Sequence, residues 1–508
     1  MSNTTPAIEF HERTKLPPDD YTQPDPANRP QDYKAYLDLP TRELANRISP
    51  PQVPALAALT YGTPDGGEPA TRTDIDLDTL TQLCYYAAGV MRVNELANRT
   101  IRFRAASCTG ALYHIDLYPV VGEDGPVPAG VYHFDPLTCS LEVLREGDFR
   151  GVLAEASGGQ QRVADAPVTF VTTSTWWRNA WKYKARAYRH AFWDSGTVLA
   201  NLLAVAHAQD VPANVVLGFA DQPVADLLGV DIDDEAPLEL VPVGAESPAP
   251  EARDVPTISP ETEPLSPNPR TYPLIPEAYR GSMLADSDAV RAWRDAAEPS
   301  GATTPAAESG ERTPLDPVGD GRASKAPLPV AIRRRRSCRE YADTPLNFRK
   351  VSTVLDRAIR PQPLDATPGE DPLALLDCYL IVNAVDDLAA GSYQYHPEDG
   401  ELELLSRGGF RAHATRLALG QEWAGDAAVG VYFMADLDAG VARFGDRGYR
   451  AAQLEAGLLG GRLYLATYAH RDLAGLGLTF RDDDVTEFFA PRATGTTPMF
   501  HYVFGRPA

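Results

Sequence analysis

The chain has 508 residues and is acidic, with 47 lysines and arginines against 70 aspartates and glutamates and a formal net charge of -23. Hydrophobic residues make up 44%, enough for proper cores, and the length leaves room for about two to four domains at roughly 150 residues each. The charge argues against nucleic acid or an anionic membrane as main partner, because both need a basic face.

Residues 1–50 are rich in proline and polar residues. His11 to Leu16 and Pro26 to Tyr36 read as an extended arm that ends in a short helix. Ile75 to Arg92 has an aspartate near its start and apolar residues at Leu80, Leu83 and Ala87, which predicts a helix. A loop of small residues, Ala105 to Gly110, then leads into an alternating strand. Further strands are predicted at VYHF, LEVL and PVTFVTTS, followed by a long buried helix over Trp181 to Ala206. The segments NVVLGF and LELVPVG close the first domain near Gly244.

From about Ala245 to Pro329 the composition shifts to Pro, Glu, Ser, Thr and Ala. Such a stretch buries little and is expected to be mostly linker, with an island at residues 272–295 whose aromatic anchors could pack on a domain. The second domain opens on Pro329 to Leu346, which holds RRRRSCRE at Arg333 to Glu340, and a helix follows. The expected partition is an arm (1–50), domain 1 (51–245), a linker (246–328) and domain 2 (329–508).

The long helix occurs twice. Arg186, Tyr188, Arg189 and Gly196 fall on Arg447, Tyr449, Arg450 and Gly457 at one offset, 261 residues (447 − 186). The offset also carries Asp116 onto Asp377, Gly130 onto Gly391, Phe219 onto Phe480 and Gly244 onto Gly505, so the repeat is a whole domain. Two copies in one chain suggest a covalent pseudo-dimer. Gly196 and Gly457 are places where another helix or a flat ligand could approach the backbone. The copies are unequal: RAASCTG (Arg104 to Gly110) falls on DATPGED (Asp365 to Asp371), and the arginine cluster falls near TPDGGEPATR (Thr63 to Arg72).

Three motifs could carry chemistry. The cluster at Arg333 to Glu340 offers guanidinium forks and a hydroxyl, which suit a phosphate monoester; a solvated basic run is the plainer reading. The loop at Arg104 to Tyr113 offers the hydroxyls of Ser107 and Thr109 and the freedom of Gly110; alone it reads as an ordinary loop. Lys182 and Tyr183 stand side by side, where a lysine in a dry pocket could act as a base and a tyrosine could relay a proton. The second copy has Arg443 and Phe444 there, which can do neither. Five scattered cysteines form no CxxC pair, so neither a disulfide framework nor a zinc site is expected. His114, His133, His190 and His207 are not at ligand spacing with carboxylates and read as surface or satisfied core histidines. Met1 to Phe10 lacks a basic region followed by an apolar run, and no apolar run reaches transmembrane length, so a cytoplasmic protein is expected.

IRRRRSCREY followed by a helix resembles the opening of nitroreductase-fold flavoproteins, whose R-R-S-x-R element holds the FMN phosphate. RAASCTGALYHIDLY and WKYKARAYRHAFWDSG resemble the loop and helix elements of the SagB/ThcOx-type branch, and HERTK with ANRPQDYKAY resembles its N-terminal arm. The resemblance implies an α+β fold, tandem nitroreductase-like domains intertwined as an internal pseudo-dimer, and FMN at their interface. By position, Arg335, Ser337 and Arg339 would take the phosphate, while Ser107, Thr109, Gly110, Leu476 and Gly477 would line the flavin. Lys182 and Tyr183 match the pair linked to azoline oxidation. Ser107 and Cys108 stand where the family has proline and serine, His114 replaces a second proline, and Asp116 replaces glutamate. The expected activity is FMN-dependent oxidation of an azoline-like ring or similar C–N bond in a small molecule or peptide, with a cyclodehydratase as a possible partner. An NAD(P)H-dependent nitro or quinone reductase is the competing enzyme, and a non-catalytic subunit of a peptide-modification complex the competing non-enzyme. One FMN per chain is expected, with the second pocket empty.

Overall fold

The computed structural model describes residues 5–16, 23–60, 70–96, 99–296, 310–319, 322–360, 364–365 and 374–508. Two expectations of sequence, the loop at Thr63 to Pro69 and most of the segment opposite RAASCTG (Ala366 to Asp371), fall outside these residues.

The first half starts with helix α1 (Pro6–Thr14), where an extended arm was expected. Thr5 caps it and Pro6 sits in its first turn, where a missing N–H costs nothing. Phe10 buries its ring against Tyr188 and Tyr449 at centroid distances of 5.1 and 5.9 Å, a burial worth roughly 1.5–3 kcal/mol. The short helix expected before Tyr36 is absent; a single 3-10 turn at Pro26–Asn28 precedes an extended run in which Tyr36 pairs with Thr262. Strand β1 (Thr41–Glu43) follows, then helix α2 (Leu77–Ala88), capped by Asp76. This helix stops short of Arg92, because Val90 opens strand β2 (Val90–Leu96), which pairs with β3 (Arg99–Arg104).

The central strands are β4 (Ile115–Val121), β5 (Gly130–Asp135), β6 (Ser140–Glu146), β7 (Val168–Thr175) and β8 (Glu235–Val243), in the order β1-β6-β5-β4-β7-β8. The helix expected as one piece from Trp181 is two: α3 (Trp176–Tyr183) and α4 (Ala187–Ala208). They part at Lys184, which has φ 52° and ψ -139°. The NVVLGF segment makes only isolated bridges, through Val215 and Val216.

Residues 246–296 are ordered where composition predicts linker. Ser247 and Ala249 bond back to Asp165 and Ala164, and helices α5 (Leu274–Gly281) and α6 (Ser287–Asp295) bury Tyr279, Val290 and Trp293. The second half continues with β9 (Arg312–Pro314), α7 (Leu328–Arg334), α8 (Phe348–Ala358), β10 (Leu376–Val382), β11 (Gly391–His396), β12 (Glu401–Arg407), β13 (Val429–Ala435), α9 (Leu437–Phe444), α10 (Arg447–Tyr468), β14 (Ala474–Leu478) and β15 (Thr497–Gly505). Its sheet runs β14-β15-β13-β10-β11-β12-β9. No described helix is long and apolar enough to cross a membrane.

Duplication reaches down to irregularities. The register shift between Thr172 and Thr173 recurs between Phe433 and Met434, and that between Val131 and Tyr132 recurs between Ser392 and Tyr393. Upstream, α1 and β1 have counterparts in α5 and β9, so elements of the second copy begin well before Pro329.

The two halves meet on α4 and α10. A Cβ on Gly196 would lie 2.5 Å from the Gly457 carbonyl carbon, and one on Gly457 would lie 2.6 Å from the Phe192 oxygen. These glycines therefore serve backbone-to-backbone contact of the two helices, not approach of a ligand. Each helix, with Arg186 at the cap of α4, also sends two arginines into the other half. Arg186 and Arg189 donate to Asp482 at 3.1 and 2.6 Å; Arg447 and Arg450 donate to Asp221 at 2.8 and 2.7 Å. The remaining donors repeat as well: Arg189 binds the Thr14 hydroxyl and His11 carbonyl of α1 and its C-terminal boundary, and Arg450 binds the Ser282 hydroxyl and Tyr279 carbonyl of α5 and its boundary. One surface thus meets its own copy, as two-fold pairing requires.

Candidate functional site

At the junction of the halves lies a cavity of about 1180 Å3. All ten site residues expected from the sequence line it: Ser107, Thr109, Gly110, Lys182 and Tyr183 from the first half, and Arg335, Ser337, Arg339, Leu476 and Gly477 from the second. They come together because the α4–α10 crossing sets the loop after β3 opposite the chain after α7.

The loop is held from behind by α4. Thr109 donates its N–H to both Asp194 carboxylate oxygens, at 2.9 and 2.8 Å, and its hydroxyl to Oδ1 at 2.9 Å. Thr197 donates to the Ser107 carbonyl at 2.7 Å. Gly110 has φ 69°, and a Cβ there would lie 2.9 Å from the Tyr183 hydroxyl oxygen, so no larger residue fits this contact unshifted. On the opposite wall, Tyr464 accepts the Gly477 N–H at 2.7 Å, and Phe500 packs 3.2 Å from where a Gly477 Cβ would be.

The arginines divide their work. Arg334 points away from the cavity and donates to the carbonyls of Tyr468, His470 and Arg471, capping the end of α10 where the helix leaves its acceptors unpaired. Arg335 reaches across the junction, its Nε to the Ala105 carbonyl and its Nη2 to the Arg104 carbonyl, both at 3.0 Å. Two of its five N–H groups thereby hold the first-half loop, and three remain. Arg339 stacks 5.9 Å from the Trp423 ring centroid.

Lys182 is partly buried, with Nζ 5.1 Å from the Tyr183 ring centroid. Burial, then the charges of Arg339 and Arg29, hold its ammonium pKa below the ordinary lysine value. Tyr183 meets His190 edge to face at 4.6 Å, and His190 in turn bonds Asn179 at 2.7 Å. Burial and the nearby Arg186 charge keep His190 well below the usual imidazole range, so it is neutral. Asn179, His190 and Asp194 are supports that motif reading misses. The repeat offers a signal for two of them, since Asn179 and His190 fall on Gly440 and Ala451 in the second copy.

Charge completes the picture. Twelve arginine and lysine side chains line the cavity against one carboxylate, Asp194, in a chain whose net charge is -23. A concave wall of one sign concentrates ligands of the other.

The pseudo-symmetric position is different. Val215 to Gly218, the counterpart of Leu476 to Thr479, is covered by the chain itself. Leu364 bridges Val215, and Asp365 accepts the Leu217 and Gly218 N–H groups and pairs with Arg294 at 2.7 Å. Trp293 donates to the Phe444 carbonyl at 2.9 Å, and a Cβ on Gly218 would lie 2.9 Å from its ring. This position was expected to be empty; the described side chains of Trp293, Arg294 and Asp365 pack there.

A family model described as the nitroreductase family matches residues 124–245 and 332–487, more than half of the chain. The chain is 23% identical over 186 residues to the trifolitoxin operon protein TfxC of Rhizobium leguminosarum bv. trifolii, covering 35% of this chain and 52% of that protein. It is 28% identical over 134 residues to the microcin B17-processing protein McbC of Escherichia coli, covering 25% of this chain and 49% of that one. It thus spans about half the length of each of these relatives. A crystal structure of a nitroreductase-type protein from Anabaena variabilis superposes over 100% of both chains with a TM-score of 0.77 at 24% identity, a likeness of fold across both halves. With the family model matching each copy in turn, the chain belongs to the nitroreductase family of oxidoreductases and carries two such domains.

Proposed function

We propose that the chain is an FMN-dependent dehydrogenase of the SagB/ThcOx type that oxidises an azoline-like ring or a similar C–N bond. The observation that carries this reading is Lys182: a lysine beside Tyr183 on the cavity wall, its pKa lowered by burial and by the Arg339 and Arg29 charges. The names of TfxC, a trifolitoxin operon protein, and McbC, a microcin B17-processing protein, support a substrate that is processed in steps, such as a peptide, and a partner such as a cyclodehydratase.

The residues present fit FMN. Gly110 and Gly477 line the cavity without side chains, so a flat ring could approach the backbone there, and the cations across the cavity suit a phosphate dianion. Arg335, Ser337 and Arg339 would hold that phosphate, with Arg335 using the N–H groups that Ala105 and Arg104 leave over. Ser107, Thr109, Gly110, Leu476 and Gly477 would flank the ring. When bound, the flavin supplies the two-electron acceptor for hydride. In its neutral form Lys182 would take a proton from the substrate carbon, and Tyr183, whose ring is packed against His190 and lies beside the Lys182 Nζ, would position the lysine and relay the proton outward. The half-buried position of Lys182 on the wall disfavours the ammonium form, which is what a base there requires.

Arg335→Ala with Ser337→Ala should strip FMN from the purified yellow protein while leaving its circular dichroism unchanged; full flavin occupancy in that variant would remove the phosphate assignment. A second reading, NAD(P)H-dependent reduction of nitro or quinone compounds, is favoured by the cation excess, which also suits a dinucleotide diphosphate. Anaerobic bleaching of the flavin by NADH or NADPH, undiminished in Lys182→Met, would select it.

A further inference from the structure

Behind the cavity loop lies a cluster for which the proposed reaction has no use. Cys108, His114 and Asp194 each present one ligand atom, all within 4.8 Å of one another. The Cys108 thiol lies 3.2 Å and the His114 Nε2 lies 2.8 Å from the same Asp194 oxygen, Oδ2. His114 is fully buried, while Cys108 and Asp194 face the cavity. The residues stand at 108, 114 and 194, a spacing in which no linear motif announces a ligand set; β4 and α4 bring them together.

Each of the three is held by a further partner. The His114 Nδ1 contacts the Ser174 hydroxyl at 2.8 Å, the other Asp194 oxygen accepts from Thr109, and the Cys108 sulfur accepts the Tyr113 N–H at 3.0 Å. Outer partners of this kind orient the ligands of divalent cations and fix the imidazole tautomer. The Cys108 thiol donates to Asp194 Oδ2 at 3.2 Å, the oxygen that His114 Nε2 also meets, so the three ligand atoms converge on one point. The second copy has Gly369, Leu375 and Glu455 at these positions, so the set belongs to the half that bears the cavity loop.

We propose that Cys108 Sγ, His114 Nε2 and Asp194 Oδ2 bind one Zn2+, with a fourth position open to the cavity. Sulfur, imidazole and carboxylate together suit this borderline-soft ion, and three protein ligands with one open position is a known arrangement for it. Binding releases the Cys108 thiol proton to solvent, and the ring proton that His114 Nε2 donates to Asp194 moves by exchange with solvent to Nδ1, from which it is donated to the Ser174 hydroxyl. The ion would pin the loop of Ser107 to Gly110 onto α4.

The test uses the full-length protein with its native flavin content, treated with a chelator and then titrated with Zn2+ alone. We expect one zinc per chain by elemental mass spectrometry, an X-ray absorption shell with one sulfur and the rest nitrogen or oxygen, and a higher Tm with zinc. Cys108→Ser, nearly isosteric, should weaken binding by about tenfold or more, lose the sulfur scatterer and abolish the zinc-dependent rise in Tm. His114→Gln should do likewise, and Cys108→Ser keeps the test decisive if that variant does not fold. Zinc uptake unchanged in Cys108→Ser, a shell without sulfur, or no uptake by the parent protein would each overturn the site.

Discussion

Lys182 and Arg339 come from different halves, yet one sets the chemistry of the other. A positive neighbour disfavours the ammonium form, so part of the lowered Lys182 pKa comes from the guanidinium of Arg339, after burial. If Lys182 is the base, flavin reduction by substrate rises with pH through this lowered pKa and then levels. Arg339→Met removes a like charge, raises the lysine pKa and moves that rise to higher pH; single-turnover rates in flavin-saturated protein would report it. Lys182→Met should abolish the reaction with flavin still bound. Lys182→Arg should not restore it, because arginine stays protonated. Turnover in Lys182→Met equal to the parent would sink the role. The asymmetry of Lys182 against Arg443 and of Tyr183 against Phe444 is visible in the sequence. The supports are less so, since Asp194 falls on Glu455, another carboxylate, and nothing in one chain separates a hub that binds the loop from an ordinary buried acid.

The break between α3 and α4 shows where element-scale reading from the sequence stops. Lys184 takes φ 52° and ψ -139°, and its counterpart Gly445, between α9 and α10, takes φ 61° and ψ -163°. Glycine reaches this region freely and lysine does not. Lysine carries no breaker signal, so a continuous apolar pattern over Trp181 to Ala206 predicts one helix. Nothing lies within 4 Å of a Cβ built on Gly445. Gly445→Ala should therefore cost only the backbone term, about 1–3 kcal/mol in denaturant titration. The arginine pairs on α4 and α10 allow a larger prediction. Burial alone would raise the Asp482 and Asp221 carboxyls, but the paired arginines outweigh it and hold both below the usual range. Asp482→Asn leaves Arg186 and Arg189 buried without their counter-ion and should cost roughly 3–5 kcal/mol. A carboxyl with a depressed folded pKa adds stability above its unfolded pKa of about 3.9, and that stability is lost as pH falls toward the folded value. The variant should therefore lose part of the parent's acid sensitivity below about pH 4, which thermal melts across pH would show. The repeat carries Arg186 and Arg189 onto Arg447 and Arg450, and Asp221 onto Asp482 at the same offset (482 − 221 = 261), but it does not show that they pair, because Asp482 and its partners lie 293 and 296 positions apart.

At the scale of the whole molecule, two copies of one domain leave a cavity at one junction and packed side chains at the other. The constant offset of 261 makes the tandem organisation legible without coordinates, and the unequal loops point to one working cavity. Composition hides the means of closure. Proline-rich residues 246–296 look like tether, yet they include α5, the counterpart of α1, and α6, whose Trp293 and Arg294 pack over Val215 to Gly218. Linker-like composition fails there because a few aromatic anchors, Tyr279 and Trp293 among them, provide burial that the average does not show. A flavin at this second position would have to displace the Arg294 pair with Asp365 and the Trp293 ring. It would also lack a counterpart of Arg335, Ser337 and Arg339, since the offset of 261 places Asp74, Asp76 and Asp78 there and the nearby TPDGGEPATR has a single arginine. A phosphate dianion with no paired cations stays in water. The chain should therefore bind one FMN, and the ratio of released flavin to protein should be near one. Trp293→Ala with Arg294→Ala should open space there without raising that ratio, because space alone provides no phosphate ligands. A ratio near two in the parent protein would mean that both junctions had kept the cofactor and that the closure seen over Gly218 gives way to it.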